Sequence, residues 1–209
     1  MGGGTIKEAK IGPVLGLFRG IGWLMVHTVH RPKLCGSKPA LDKPTIFAIR
    51  HVGLMDPVIL MSQYPYHLLH PLVAVDYYEK NAFTRFFYPA VGCIPIDRKN
   101  SSREWMDHAG AALDKGESIV IAPEGKRNKT GEGLLPFKCG AAYLAAHTGA
   151  QIIPVYNKFW KFPRRYRLAI GNPVQLDPVP EDGPTSEWAH AQTDRIRQAV
   201  AALAPLVGD

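Results

Sequence analysis

Apolar runs and segments of helical periodicity alternate along most of the chain. A continuous apolar run predicts a buried strand, whereas apolar residues three or four positions apart predict one face of a helix. The strands predicted in this way are 45–50, 72–75, 93–96, 118–122, 152–156 and 166–170, the last with the alternation typical of an outer strand. The predicted helices are 56–63, 79–88, 102–115, 138–148 and 185–203. This order predicts an α/β fold, a single layered domain in which helices flank a largely parallel sheet.

The N-terminal part of the chain has a different pattern. Between residues 11 and 30, apolar residues recur at helical spacing and would form one stripe along a helix. Arg19 lies near the middle, where burial in lipid would be costly, so a membrane-spanning helix is not predicted. Two interpretations stay open: a helix in the plane of the membrane interface with Trp23 near the headgroups, or a helix packed on the protein's own core. We expect an amphipathic membrane-associating segment at residues 1–40 and one domain at residues 41–209.

Composition and charge narrow the classes of protein. Hydrophobic residues make up 46% of the chain, which excludes a disordered protein. The 25 basic and 18 acidic residues give a net charge of +7, which suits an anionic membrane, an anionic substrate or nucleic acid. Cys35, Cys93 and Cys139 lie far apart without a CxxC pair, so neither a disulfide framework nor a cysteine zinc site is expected. His67 and His70 lack a carboxylate or cysteine at ligand spacing, so no metal site is predicted there.

A histidine and an aspartate follow the strand predicted at 45–50. His51 and Asp56 are separated by four residues, and they can meet if the histidine lies on a turn and the aspartate in the first helical turn. Gly53 as the helix N-cap would make Asp56 the third helical residue. The carboxylate would then hold one imidazole nitrogen as a donor and leave the other to accept a proton. This is the base half of a triad, although an aspartate at a helix start beside an unrelated histidine is the ordinary alternative.

Three further segments combine charge with other chemistry. The segment from Gly92 to Arg98 begins with a glycine, which gives access to the backbone, and ends with an arginine that can hold a phosphate. The alternative is that Arg98 forms an ordinary surface ion pair with Asp97. The segment 122–127 carries one carboxylate and two cations, which suits a polyol phosphate or simply a solvated loop. Cations and aromatic residues mix over 158–167, which is typical of a bilayer surface, of single-stranded nucleic acid, or of an edge whose aromatics pack in the core.

Four of these segments occur in an order that resembles the glycerolipid acyltransferase family, which includes the lysophosphatidic acid acyltransferases. The matching blocks are the HX4D pair His51 and Asp56, then Gly92 to Arg98, then Pro123, Glu124, Gly125 and Arg127, then Ile153-Pro154-Val155. The resemblance covers about residues 45 to 157. Gly53 replaces a small hydroxylated residue, and Lys126 and Asn128 replace the Thr and Ser that often flank the arginine, which leaves the acceptor open.

The resemblance implies transfer of a fatty acyl group from coenzyme A or acyl carrier protein to the hydroxyl of a lysophospholipid such as 1-acylglycerol 3-phosphate. It implies His51 as the base and Asp56 as the residue that fixes its tautomer, with no bound cofactor and no acyl-enzyme. Cys93 and Cys139 lie in apolar segments without an adjacent histidine, so we expect core cysteines and no thiol nucleophile. Implied substrate-binding residues are Gly92, Arg98, Glu124, Gly125, Lys126 and Arg127. The residues expected to face an anionic membrane surface are Arg19, Trp23, Lys158, Lys161, Arg164 and Arg165.

We therefore expect a protein associated with the cytoplasmic face of a membrane, with membrane lipids and an acyl thioester as partners and without nucleic acid. Two alternatives stay open. One is an acyltransferase with another acceptor, such as glycerol 3-phosphate, a glycolipid or another lysolipid. The other is a non-catalytic lipid-binding module of the same fold, against which the intact His51 and Asp56 argue.

Overall fold

The computed structural model describes residues 12–97, 104–130, 133–160 and 165–209. Its strands are β1 (Pro32–Gly36), β2 (Thr45–Ile49), β3 (Leu69–Ala74), β4 (Ile94–Ile96), β5 (Ser118–Ile121), β6 (Gln151–Trp160) and β7 (Arg165–Ile170). Its helices are α1 (Pro13–Met25), α2 (Asp56–Gln63), α3 (Val75–Tyr78), α4 (Ala82–Ala90), α5 (Glu104–Asp114), α6 (Gly140–Thr148), α7 (Ser186–Ala201) and α8 (Ala204–Val207). A π-helical turn, Val26–His30, continues α1.

The strands form one seven-stranded sheet in the order β1-β7-β6-β2-β5-β3-β4. Pairing among the described strands is parallel throughout, apart from the antiparallel pair β6 and β7. The fold predicted from the sequence is thereby confirmed. Because β2, β3 and β5 run in the same direction, the segments that follow them meet at one edge of the sheet, which is where open α/β sheets bind ligands.

Alternation along the central strands separates the core into two layers. In β2, Ile46 and Ala48 pack in the layer that contains α5, α6 and α7, while Phe47 and Ile49 pack in the layer that contains α2. Successive side chains of a strand point to opposite faces, so an uninterrupted apolar run fills both layers. The alanine-rich α6 buries one face, formed by Ala141, Ala142, Leu144 and Ala145, and these small side chains let the helix lie close to the sheet. The two layers together bury both faces of the central strands, which stabilises the sheet up to its carboxyl edge.

Three expectations about the sheet are wrong. β1 lies within the segment predicted as N-terminal, so the boundary at residue 40 separates β1 from the sheet to which it belongs. β7 is an inner strand, because β1 pairs with it on one side and β6 on the other. β3 begins at Leu69, and Val75 already lies in α3, since the apolar run continues across the boundary between the two elements.

The first helix lies on the protein surface with an outward apolar face. None of the α1 residues is buried, and Leu17 and Ile21 are 63% and 55% exposed. Arg19 points the other way and donates to the backbone oxygens of Tyr64, Pro65 and His67, just beyond the C-terminal end of α2. A cation is favourable there because the last carbonyls of a helix lack intrahelical partners. The guanidinium of Arg19 therefore binds the protein itself, contrary to the prediction that it faces an anionic surface.

Within the described part of the chain, no helix combines the length and the apolar character needed to span a bilayer.

Candidate active site

The side chains of His51 and Asp56 meet at the carboxyl edge of the sheet. The Nδ1 atom of His51 lies 2.8 Å from Oδ2 of Asp56. The imidazole is 23% exposed, whereas the carboxylate is fully buried. An ionised Asp56 accepts the Nδ1 proton, so the neutral imidazole keeps Nε2 as its proton acceptor. The pair has the geometry that a general base requires, and its catalytic role remains a prediction.

The turn between β2 and α2 brings the two side chains together. α2 begins at Asp56 rather than near Gly53, so the prediction that Asp56 is the third helical residue is wrong by two positions. The carboxylate instead reaches back along the chain, where the N–H groups of Val52 and Gly53 donate to Oδ2 at 2.7 and 2.9 Å. A Cβ on Gly53 would approach Oδ1 of Asp56 to 3.3 Å, so the turn has little space for a side chain.

A tyrosine from a distant strand completes the surroundings of Asp56. The hydroxyl of Tyr166, in β7, donates to Oδ1 of Asp56 across a sequence separation of 110 residues. Burial raises the pKa of Tyr166 well above its ordinary value, and the adjacent charge of Asp56 raises it further. In the sequence, Tyr166 is recognisable only as one of the aromatic residues of a basic segment. No local pattern could have revealed the contact, because it depends on β6 and β7 pairing beyond the point where β2 ends.

A fully buried arginine supports the loop beneath His51. Arg50 donates from Nη1 to the backbone oxygen of Asn157 at 2.7 Å and from Nε to that of Gly133 at 2.8 Å. Its guanidinium also lies 3.3 Å from Oδ2 of Asp209 and 4.5 Å from the ring centre of Tyr156. These contacts join β2 to β6 and to residue 209. Arg50 is a residue that the sequence analysis missed, because nothing in its local pattern distinguishes it from a surface cation.

Lys158 belongs to the same internal group of charges. Its ammonium lies 2.8 Å from Oδ1 of Asp209 and donates to the backbone oxygen of Gly208. The prediction that Lys158 faces an anionic surface is therefore not supported by its contacts. Arg165 is exposed at the start of β7, as expected of a surface cation. Lys161 and Arg164 lie outside the described residues.

A cavity of about 1440 Å³ opens beside His51. It is larger than the 300–1,000 Å³ of ordinary small-molecule pockets, which suits a ligand with a long chain. α1 supplies Phe18 and Ile21 to its wall, and Phe87 from the end of α4 also lines it, with its ring centre 5.1 Å from that of Phe18. Most of the described lining is apolar, and residues 125–130 form its longest continuous polar segment.

Cations line one side of this cavity. Lys126 is exposed and Arg127 is half-buried, and both contribute to the wall. Among the described residues, no carboxylate forms an ion pair with either. Gly125 precedes them with a φ of 66°, and its missing side chain lets Lys138 lie across it, since a Cβ there would meet Cε at 3.0 Å. The cationic side of the cavity is therefore open to an anionic ligand.

The structure places two other predicted substrate-binding residues, Gly92 and Glu124, outside the described lining of the cavity. Gly92 does not line the cavity; it forms a turn with a φ of 76°, and its carbonyl oxygen lies 2.7 Å from Nδ1 of His70. Nε2 of the same histidine lies 2.8 Å from Glu117, so His70 joins two loops. Glu124 is only 4% exposed and lies behind the wall. Arg98 lies outside the described residues.

The Glu124 carboxylate is buried without a well-formed hydrogen bond from any described residue. Burial raises its pKa to about 7, and the charge of Asp56 adds to the rise. Arg50 and the nearby backbone N–H of His51 lower it, although that N–H does not reach hydrogen-bond geometry. Glu124 therefore changes protonation near neutral pH, beside the predicted catalytic pair.

Replacing Glu124 by Gln is expected to stabilise the fold at pH 8 but not at pH 4. A carboxyl group whose pKa rises on folding binds more protons in the folded state, so stability falls as pH rises from about 4.5 to about 7. The glutamine variant does not have this loss, and its advantage at pH 8 should be on the order of 2 kcal/mol. Urea denaturation at both pH values measures it. A stabilisation of equal size at pH 4 would show that the raised pKa of Glu124 is not its cause.

Cys93 also lines the cavity, which makes a thiol nucleophile worth testing against the geometry. Burial raises the pKa of Cys93 to about 12, so the thiolate is scarce at neutral pH. Cys139 lies outside the described lining of the cavity, and its Sγ is 3.5 Å from Nδ1 of His190. His190 is distant from Cys139 in the sequence, and neither thiol is placed as an activated nucleophile at the cavity.

Comparison with known proteins was made by sequence and by structure. A family model described as Acyltransferase matches residues 26–158. The human 1-acyl-sn-glycerol-3-phosphate acyltransferase alpha is 33% identical over 117 residues, which cover 52% of this chain and 41% of the human protein. The Haemophilus influenzae 1-acyl-sn-glycerol-3-phosphate acyltransferase is 40% identical over 76 residues, or 35% of this chain and 31% of that protein. The chain thus spans less than half the length of these two relatives.

The fold has a counterpart among solved structures. The crystal structure of the 1-acyl-sn-glycerophosphate acyltransferase PlsC from Thermotoga maritima superposes with a TM-score of 0.65 at 16% identity, covering 93% of this chain and 80% of that one. At this identity the likeness shows the fold alone. The family model, in contrast, matches well over half of the chain, from the π-helical turn to β6, and includes both His51 with Asp56 and the cationic segment. On this evidence the chain belongs to the Acyltransferase family.

Proposed function

We propose that the chain transfers a fatty acyl group from an acyl thioester to the hydroxyl group of a lysophospholipid, most simply 1-acylglycerol 3-phosphate. The observation that carries the proposal is the position of His51. Its Nδ1 is held by a buried carboxylate, and the ring lines a large apolar cavity that has cations on one side. A base, an apolar space for acyl chains and a cationic region for a phosphate are the three requirements of this reaction.

In the proposed reaction, the acceptor's hydroxyl group is the nucleophile. Nε2 of His51 takes its proton while the oxygen attacks the thioester carbonyl carbon, and Asp56 stabilises the imidazolium that forms. The carbon–sulfur bond then breaks, the new ester is released, and the leaving thiolate takes the proton from His51. The chain therefore returns to its starting state with no acyl group bound to it.

The acceptor's phosphate is assigned to the cationic side of the cavity. Arg127 is the main candidate because a guanidinium can form two parallel hydrogen bonds with phosphate oxygens. Lys126 adds a second charge at the exposed rim, and Arg98, which lies outside the described residues, remains a predicted third contact. Fixing the phosphate orients the hydroxyl towards His51, and orientation can contribute several kcal/mol to the rate.

The acyl donor is proposed to be a thioester of coenzyme A or of acyl carrier protein. The size of the cavity supports a donor with a fatty acyl chain, because about 1440 Å³ exceeds what the headgroup of a lysophospholipid needs. Both donors share the thioester that the reaction consumes. Neither is a bound cofactor, since each leaves as a free thiol.

Membrane association is proposed through the outward face of α1. Leu17 and Leu24 of α1 are exposed and lie outside the described lining of the cavity, to which other residues of the helix contribute. Trp23 is exposed near them, and its ring is stacked on His27 with the ring centres 4.2 Å apart. Apolar side chains above a charged body, with a tryptophan near the headgroups, are typical of interfacial helices. A lipid acceptor could then enter the cavity directly from the bilayer. The net charge of +7 suits an anionic leaflet at the cytoplasmic face.

Replacing both Leu17 and Leu24 by Ser should weaken binding to anionic vesicles by about tenfold or more, because each leucine contributes on the order of 1.5 kcal/mol when fully buried. Vesicle flotation measures the partition. Val179→Ser is the matched control, since Val179 is an exposed apolar residue on the loop after β7. Equal binding by the double variant and the wild type would contradict a membrane contact through α1.

The acceptor is tested by measuring thiol release with a panel of acceptors, which are 1-acylglycerol 3-phosphate, glycerol 3-phosphate, a lysoglycolipid and a neutral monoacylglycerol. The proposal predicts the highest kcat/KM for 1-acylglycerol 3-phosphate. A preference for another acceptor would retain the acyltransferase and change its substrate. No ester formed with any acceptor, together with binding of the lipids, would instead indicate a lipid-binding module.

A further inference from the structure

We propose that Tyr166 is a positioning residue that acts on His51 through Asp56, so that the catalytic arrangement has three members. This inference rests on the proposed function, in which His51 is the base. Tyr166 lies beyond residue 158, where the match to the family model ends, so membership of the family does not assign it.

The hydrogen bonds of Asp56 divide between its two oxygens. Oδ2 lies 2.8 Å from Nδ1 of His51 and accepts from the backbone N–H of Val52 at 2.7 Å. Oδ1 accepts from the hydroxyl of Tyr166, and the N–H of Gly53 lies between the two oxygens at 2.9 and 3.1 Å. Of the described donors, Tyr166 is therefore the one side chain that holds Oδ1, opposite the oxygen that holds the base.

The position of Tyr166 is fixed independently of Asp56. It pairs with Phe159 in the β6–β7 hairpin, and its ring is fully buried between that residue and His30, at ring distances of 6.1 and 6.5 Å. A buried hydroxyl requires a hydrogen-bond partner, and Asp56 is one that cannot turn away without losing its own donors. The hairpin thus sets the rotation of the carboxylate.

The hydroxyl also sets how strongly Asp56 attracts the imidazole proton. A hydrogen bond donated to a carboxylate partly neutralises its negative charge, and the carboxylate becomes a weaker acceptor for other donors. Because its pKa is well above the ordinary value, Tyr166 stays a donor throughout the working pH range. Removing the hydroxyl should therefore loosen the Oδ1 side of the carboxylate, while Val52 and Gly53 still hold Oδ2, and this loosening lowers kcat. It should also strengthen the attraction of Asp56 for the imidazole proton.

Other charged or titratable groups also face this arrangement. They are Arg50, whose charge lowers the pKa of Tyr166; Glu124, whose pKa is raised by the charge of Asp56; and His30, which packs on the Tyr166 ring. All three stay in place when a single hydroxyl is removed. A change in the pH profile of such a variant can therefore be assigned to Tyr166 itself.

The experiment compares Tyr166→Phe with Tyr64→Phe. Tyr64 is a matched control, because it is a buried tyrosine of the same core layer whose hydroxyl donates to the backbone oxygen of Pro39 at 3.2 Å. We expect Tyr166→Phe to lower kcat by about tenfold with little change in KM. We also expect the acid limb of its kcat/KM profile to move to higher pH by about half a unit or more. Tyr64→Phe should change neither.

A second variant keeps the test decisive if Tyr166→Phe does not fold. Difluorotyrosine at position 166 has almost the same shape and is a stronger hydrogen-bond donor, so it should move the acid limb the opposite way, to lower pH. NMR titration of the His51 ring gives the same comparison without substrate. An unchanged acid limb and an unchanged ring titration in either folded variant would overturn the proposal. If wild type transfers no acyl group to any acceptor, the proposed function fails, while the ring titration still decides the coupling.

Discussion

Replacing His51 by alanine is expected to lower kcat for acyl transfer by on the order of 10³-fold or more. General base catalysis contributes about 10²- to 10⁴-fold, and His51 is the one histidine among the described residues that line the cavity. The imidazole is partly exposed at the cavity wall, so its removal should leave the two core layers and the fold unchanged. Steady-state rates with acyl-CoA and 1-acylglycerol 3-phosphate, together with circular dichroism, measure both effects.

The control is His147→Ala, which removes an exposed histidine at the end of α6 that points away from the site. It should keep the wild-type kcat. If His51→Ala retained a kcat within tenfold of wild type while folded, His51 would not be the base.

Replacing Arg127 by alanine is expected to raise KM for 1-acylglycerol 3-phosphate by about 10- to 100-fold, because a hydrogen bond between charged groups contributes about 1.5–3 kcal/mol. The change in kcat should be smaller, since Arg127 holds the phosphate rather than the reacting hydroxyl. Lysine at this position should recover part of the loss, because it restores the charge without the planar pair of donors. Steady-state kinetics with varied acceptor measures these effects.

Two controls show whether the loss comes from the phosphate. Arg197→Ala removes an exposed arginine of α7, far from the cavity lining, and should leave KM unchanged. A neutral monoacylglycerol has no phosphate, so its slow transfer should be equally slow in Arg127→Ala and in wild type. A KM that rises equally for both acceptors would show that Arg127 supports the loop and does not bind the phosphate.

Much of the fold follows from local sequence patterns. The strands β2, β5 and β6 are recognisable because buried parallel strands need apolar residues on both faces, which produces continuous apolar runs. β1 has no such run, since Pro32 to Gly36 includes a lysine and two residues that disfavour strands. Its place in the sheet comes from pairing with β7, which lies far away in the sequence.

The contact between His51 and Asp56 could be predicted because both residues lie in one short turn. Tyr166 could not, because its contact with Asp56 depends on the position of a hairpin more than a hundred residues later. The positions of Arg19 and Lys158 could not be predicted from the composition of the chain either. Charge counts treat every cation as a surface group, whereas these two bind backbone oxygens and a carboxylate within the protein.

Direct transfer between thioester and hydroxyl is the claim on which the mechanism depends, and intact mass measurement tests it most directly. The wild-type protein is mixed with excess acyl-CoA alone, quenched and weighed, and acceptor is then added to a parallel sample. We expect the protein to keep its unmodified mass, with thiol and phosphatidic acid formed together only after 1-acylglycerol 3-phosphate is added. An acyl adduct on the protein that disappears into product when acceptor arrives would contradict the account.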